Sequence, residues 1–63
     1  MYIIRVGSKF YESGDDVDYN YVLTDDKSEA QVFYCIKTAK VVASKITLNA
    51  MAAVTILHNL EEN

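Results

Sequence analysis

Tyr2, Ile4 and Val6 alternate with Ile3 and Arg5, and this period of two predicts a strand from Tyr2 to Val6. Gly7-Ser8 follows as a hairpin turn, although Val-Gly-Ser-Lys is weaker turn chemistry than Asn-Gly. Lys9 to Glu12 is expected to return as a second strand. Ser13-Gly14-Asp15-Asp16 reads as a loop, because glycine and aspartate tolerate turn dihedrals. Alternation resumes from Tyr19 to Thr24, a third strand with Tyr19, Tyr21 and Leu23 on one face and Val22 on the other.

The period then changes. Asp26 is placed to cap a helical turn, and Glu29 stands three residues later, at capping-box spacing. A short helical turn is expected from Ser28 to about Phe33. Ala39, Val42, Ala43 and Ile46 recur at i, i+3, i+4 and i+7, which predicts an amphipathic helix whose other face carries Lys37, Lys40, Ser44 and Lys45. Asn49 can end that helix in a left-handed conformation. The tail reads two ways. Ala50, Ala53, Val54 and Leu57 fit a helical stripe, whereas the Val-Thr-Ile run favours β structure. A final strand from about Ala52 to His58 is the expectation. The order β-β-β-α-α-β makes an α+β fold, a small antiparallel sheet with one amphipathic helix on one face, in a single domain spanning residues 1–63.

A chain of 63 residues buries only about 60% of the surface it exposes when unfolded, so its core is marginal. The single cysteine, Cys35, rules out an internal disulfide, which leaves self-association as the expected reinforcement. The pattern supports it: apolar groups fall on both faces of the strands, with Ile3 opposite Tyr2, Ile4 and Val6, and Val22 opposite Tyr19, Tyr21 and Leu23, and Val41 and Leu48 lie off the main helix stripe. A homodimer is expected, through the open sheet face or by joining edge strands. The N-terminus enters a strand pattern at once rather than a signal-peptide pattern. No stretch approaches the roughly 20 apolar residues of a membrane span, and one unpaired cysteine fits a reducing compartment. A cytoplasmic protein that does not bind membrane is the expectation.

Charge is unevenly distributed. Seven of nine carboxylates fall between Glu12 and Glu29, where Lys27 is the one base, while Ala30 to Leu60 holds Lys37, Lys40 and Lys45 and no acid. A net charge of −3 disfavours general nucleic-acid affinity, which needs many phosphate-facing cations. The lysine face of the helix remains the alternative site for phosphate contact. The acidic stretch from Tyr11 to Glu29 also holds Tyr19 and Tyr21, and tyrosine beside carboxylates suits a protein-binding surface. Asp15, Asp16, Asp18, Tyr19 and Tyr21 are the candidate partner-binding residues.

Motifs for chemistry fall short. Asp16-Val17-Asp18-Tyr19-Asn20 begins like a calcium loop, but Tyr21 stands where the turn needs glycine and Lys27 where a bidentate glutamate belongs. Cys35 and His58 lack an orienting group and an oxyanion site, and cannot complete a four-ligand zinc site. Cys35, between Tyr34 and Ile36, is expected to be packed inside. The pairs Asp15-Asp16 and Asp25-Asp26 are adjacent, so their side chains diverge on a strand, and Asp25-Asp26 suits a helix cap better. No catalytic residue, metal or cofactor is expected, and the chain reads as a non-enzyme.

Met1-Tyr2-Ile3-Ile4-Arg5-Val6, Lys9-Phe10-Tyr11, Leu23-Thr24-Asp25-Asp26, Ala30 with Phe33, and the lysine-bearing helix with Ala39 and Ala43 together resemble short uncharacterised proteins of bacteriophages and mobile elements of Gram-positive bacteria. The likeness spans roughly residues 1–46. It implies a phage-type accessory protein acting on a host or phage protein, and brings no catalytic residues with it.

Overall fold

A computed structural model describes residues 1–15, 20–48 and 52–58. Its elements are β1 (Tyr2–Val6), β2 (Lys9–Asp15), β3 (Asn20–Thr24), a single 3-10 turn (Lys27–Glu29), α1 (Ile36–Thr47) and β4 (Val54–His58). The strands form one antiparallel sheet in the order β3-β2-β1-β4. The chain therefore crosses from one margin to the other between β3 and β4, by way of α1. The α+β expectation holds, with the first of the two expected helical segments reduced to one 3-10 turn.

The β1–β2 hairpin closes on Val6↔Lys9, with Gly7 at φ 65° in the turn. A positive φ in a two-residue hairpin is what makes the loop twist match its strands, and glycine adopts it without strain. β2 runs to Asp15, so Ser13, Gly14 and Asp15 are strand residues rather than the expected loop. The reason lies in a bulge. Tyr11 pairs with Leu23 and Ser13 with Val22, which leaves Glu12 as the additional residue. Gly14, at φ 144°, then continues the pairing opposite Tyr21 in a conformation that a side chain rarely adopts.

β2 follows β1 for only two pairs, Arg5↔Phe10 and Val6↔Lys9. Beyond them the segment at Gln31–Phe33 reaches both strands. The Gln31 amide donates to the Tyr11 carbonyl at 2.9 Å, and Phe33 and Tyr2 exchange two backbone hydrogen bonds of 2.8 Å. β1 pairs with β4 over five residues without a shift, from Tyr2↔His58 to Val6↔Val54. The final strand is thus shorter than expected, since Ala52 and Ala53 precede it, and the helical reading of the tail does not hold over Val54–His58.

α1 lies over β1 and β4. Ala39 and Ala43, both buried, bring its backbone close to the sheet, and Ile46 at 1% exposure fills the space beside Ile4 and Val6 in the core. The β2–β3 half of the same face is filled by aromatic rings instead. Tyr11 stands 6.0 Å from Phe33 and 6.4 Å from Tyr21, within the range of favourable tilted ring pairs. On the opposite face Ile3 is 1% exposed within the single chain and takes no part in the core under α1. Its cross-strand neighbour Leu57 is half-buried. The apolar face expected to lie open is therefore already closed at Ile3, and Val22, at 52% exposure, is its most exposed large apolar side chain.

Candidate functional site

The anionic end is built on the turn after β3. The Asp26 carboxylate accepts hydrogen bonds from the Ser28 amide at 2.9 Å and the Ser28 hydroxyl at 2.7 Å. Those two bonds, the hydroxyl's the stronger, hold its pKa below the usual aspartate value, against a slight opposing effect of burial. Asp26 is thus the cap the spacing announced. Glu29 does not return directly to the Asp26 amide, as a capping box would. The Thr24 hydroxyl stands between them, accepting from the Asp26 amide at 3.1 Å and donating to the Glu29 carboxylate at 3.3 Å. Asp25 pairs with Lys9 at 3.0 Å, an exposed ion pair worth about 0–1 kcal/mol. Each carboxylate of this turn has a structural contact, and all three remain exposed.

Of the five residues singled out for partner binding, Asp16, Asp18 and Tyr19 lie outside the described residues. Asp15 ends β2, paired with Asn20. Tyr21 is half-buried and packs against the core through Tyr11, so part of its ring serves the fold and not the surface. The calcium-like stretch likewise falls largely outside the described residues, as does Asn49. Leu48, which caps α1 after Thr47, is right-handed, its amide bonded to the Ser44 carbonyl at 3.3 Å.

The lysines stand where the helical period puts them. Lys37 and Lys40 are exposed on α1, and Lys45 is half-buried in its last turn, where a cation suits the helix dipole. Apolar side chains share this face, Val41 at 53% and Leu48 at 77% exposure, with Tyr34 at 80% just ahead of the helix. The sequence pattern marks Val41 and Leu48 as lying off the core stripe; it does not single out Tyr34, which precedes the helical repeat.

Cys35 corrects another expectation. It is exposed at the N-cap of α1 rather than packed. The sulfur makes no capping hydrogen bond, yet it lies close enough to the amides of Thr38 and then Lys37 for them to lower the thiol pKa. His58 stacks on Tyr2, ring centroids 4.9 Å apart. Among the described residues there is no cavity and no cluster of three metal-ligating side chains. No described helix is long and apolar enough to cross a membrane. No family model matches the chain, and neither a curated protein nor a solved structure matches it.

Proposed function

We propose that this chain is a non-enzymatic protein-binding accessory module, of the kind that bacteriophages and mobile elements of Gram-positive bacteria encode to modulate a host or phage protein in the cytoplasm. Its partner surface is the acidic, tyrosine-bearing end around Asp15, Asp16, Asp18, Tyr19 and Tyr21. The observation that carries this reading is the segregation of charge: seven of nine carboxylates between Glu12 and Glu29, with Asp25, Asp26 and Glu29 exposed together on one turn. Such a field steers a cationic partner surface and excludes an anionic one. The working form is a homodimer.

The test is affinity capture from a lysate of the bacterial host, followed by titration of the recovered partner against the wild type and an Asp15→Asn, Asp16→Asn, Asp18→Asn variant. Weaker binding that falls further with salt supports the reading, and unchanged affinity ends it. Tyr21 is left intact because it packs on Tyr11. The alternative, a small nucleic-acid-binding regulator, draws on the exposed Lys37 and Lys40 with Lys45 on one helix. Three cations bind weakly at physiological salt, so retention of an oligonucleotide on a filter at low salt, with a steep salt slope, is the result that would favour it.

A further inference from the structure

The outer face of α1 carries a mixed row rather than a purely charged one. Lys37, Val41, Ser44 and Leu48 recur at i, i+4, i+7 and i+11, which places them opposite the buried Ala39, Ala43 and Ile46. Val41 and Leu48 stand one heptad apart on this face, the repeat at which one helix offers successive side chains to another, and Tyr34 precedes it in the chain, ahead of the extended N-cap residue Cys35. Tyr34, Val41 and Leu48 are all more than half exposed. The twelve-residue helix that carries Lys37, Val41 and Ser44 is about 18 Å long. Exposed Lys37 stands within the row and exposed Lys40 beside it, and no carboxylate occurs from Ala30 to Leu60.

We propose that this row docks an acidic amphipathic helix of another protein, with its apolar seam on Tyr34, Val41 and Leu48 and its carboxylates over Lys37 and Lys40. This surface is separate from the acidic end and opposite to it in sign. Phosphates would gain nothing from the three apolar anchors, whereas a helix with an apolar stripe and acidic flanks matches both features. A lipid surface fits less well, since Lys37 and Ser44 interrupt the row and the chain's net charge of −3 opposes anionic headgroups.

The probe is a synthetic peptide of about three heptads with leucine at the core positions and glutamate beside them, titrated into isotope-labelled protein and followed by NMR. Amide shifts centred on Tyr34, Val41 and Leu48 are expected, with affinity falling at least tenfold in a Val41→Ser, Leu48→Ser variant. Both side chains are exposed, so that variant keeps its fold, which the dispersion of its spectrum verifies. The absence of shifts up to about 1 mM peptide overturns the proposal. Equal binding by a glutamate peptide without leucines overturns it as well. Tighter binding of a duplex oligonucleotide or of phosphatidylglycerol vesicles at the same residues would assign the face to those ligands instead. The Asp15→Asn, Asp16→Asn, Asp18→Asn variant should bind the peptide as the wild type does, so failure at one surface is distinguishable from failure at the other.

Discussion

Gly7 shows how much one residue can decide in so short a chain. Its φ of 65° lets the β1–β2 turn close, and a Cβ there would stand 3.1 Å from the Ala52 Cβ. Gly7→Ala combines a left-handed backbone with a tight contact and should cost about 1–2 kcal/mol, read as a lower urea midpoint. Asp26 makes a prediction in pH. Its pKa is depressed by the folded contacts to Ser28, so its contribution to stability is present above the unfolded value and is lost as pH falls through the folded pKa. A carbon-detected titration should place the Asp26 midpoint below the ordinary 3.8, and Ser28→Ala should move it back towards that value. Cys35 should alkylate at lower pH in the native protein than in the urea-unfolded chain, because only the native helix directs the amides of Thr38 and Lys37 at its sulfur. Iodoacetamide rates with the same pH midpoint in both states would contradict that account. The expected burial of Cys35 came from the average behaviour of free cysteine, and a residue-type average is blind to a helix start.

Elements were legible where a period ran undisturbed. Tyr2–Val6 emerges as a strand and the Ala39, Val42, Ala43, Ile46 stripe as the packed side of α1, as the spacing implies, although Ile3 is buried on the second face of β1 as well. The misread stretch, Ser13 to Asp15, is the one where a glycine at positive φ served a bulged strand and not a turn. Glycine signals an unusual dihedral, and composition alone does not say which irregularity uses it. Strand order and the seating of Gln31–Phe33 against Tyr11 and Tyr2 were not legible either, since they depend on partners far apart in the chain. The acidic end shows the same limit from the functional side. Carboxylates were counted as surface charge, but Asp25, Asp26 and Glu29 also tie down the turn that bears them. At this scale the seating of α1 is the quantity to test. Ile46→Ala, at a position only 1% exposed, should cost roughly 2–5 kcal/mol, and a domain this small rarely holds more than about 3–5 kcal/mol. Loss of the cooperative urea transition by circular dichroism is the expected outcome. Val41→Ala, on the outer row of the same helix, should leave the midpoint nearly unchanged.

Assembly belongs to the whole molecule. With Ile3 already buried inside one chain, the open sheet face loses its main apolar group, and an edge becomes the better route to a dimer. The two margins differ. β3 lies beside a bulged β2 and runs directly into Asp25 and Asp26, features that discourage further strand pairing. β4 is Val-Thr-Ile-Leu-His, with no Lys, Arg, Asp, Glu or proline, and its five pairs with β1 follow without a bulge. Two copies related by a two-fold axis normal to the sheet could join β4 to β4 antiparallel, making eight continuous strands with both α1 helices on one face. Light scattering at micromolar concentration should then report twice the 7.1 kDa chain mass. Thr55→Lys, a charge on an exposed edge position, should return the mass to 7.1 kDa while leaving the circular dichroism spectrum intact. A wild type that scatters as a single chain would refute the dimer. A Thr55→Lys variant that stays double would keep the dimer and exclude the β4 edge as its seam.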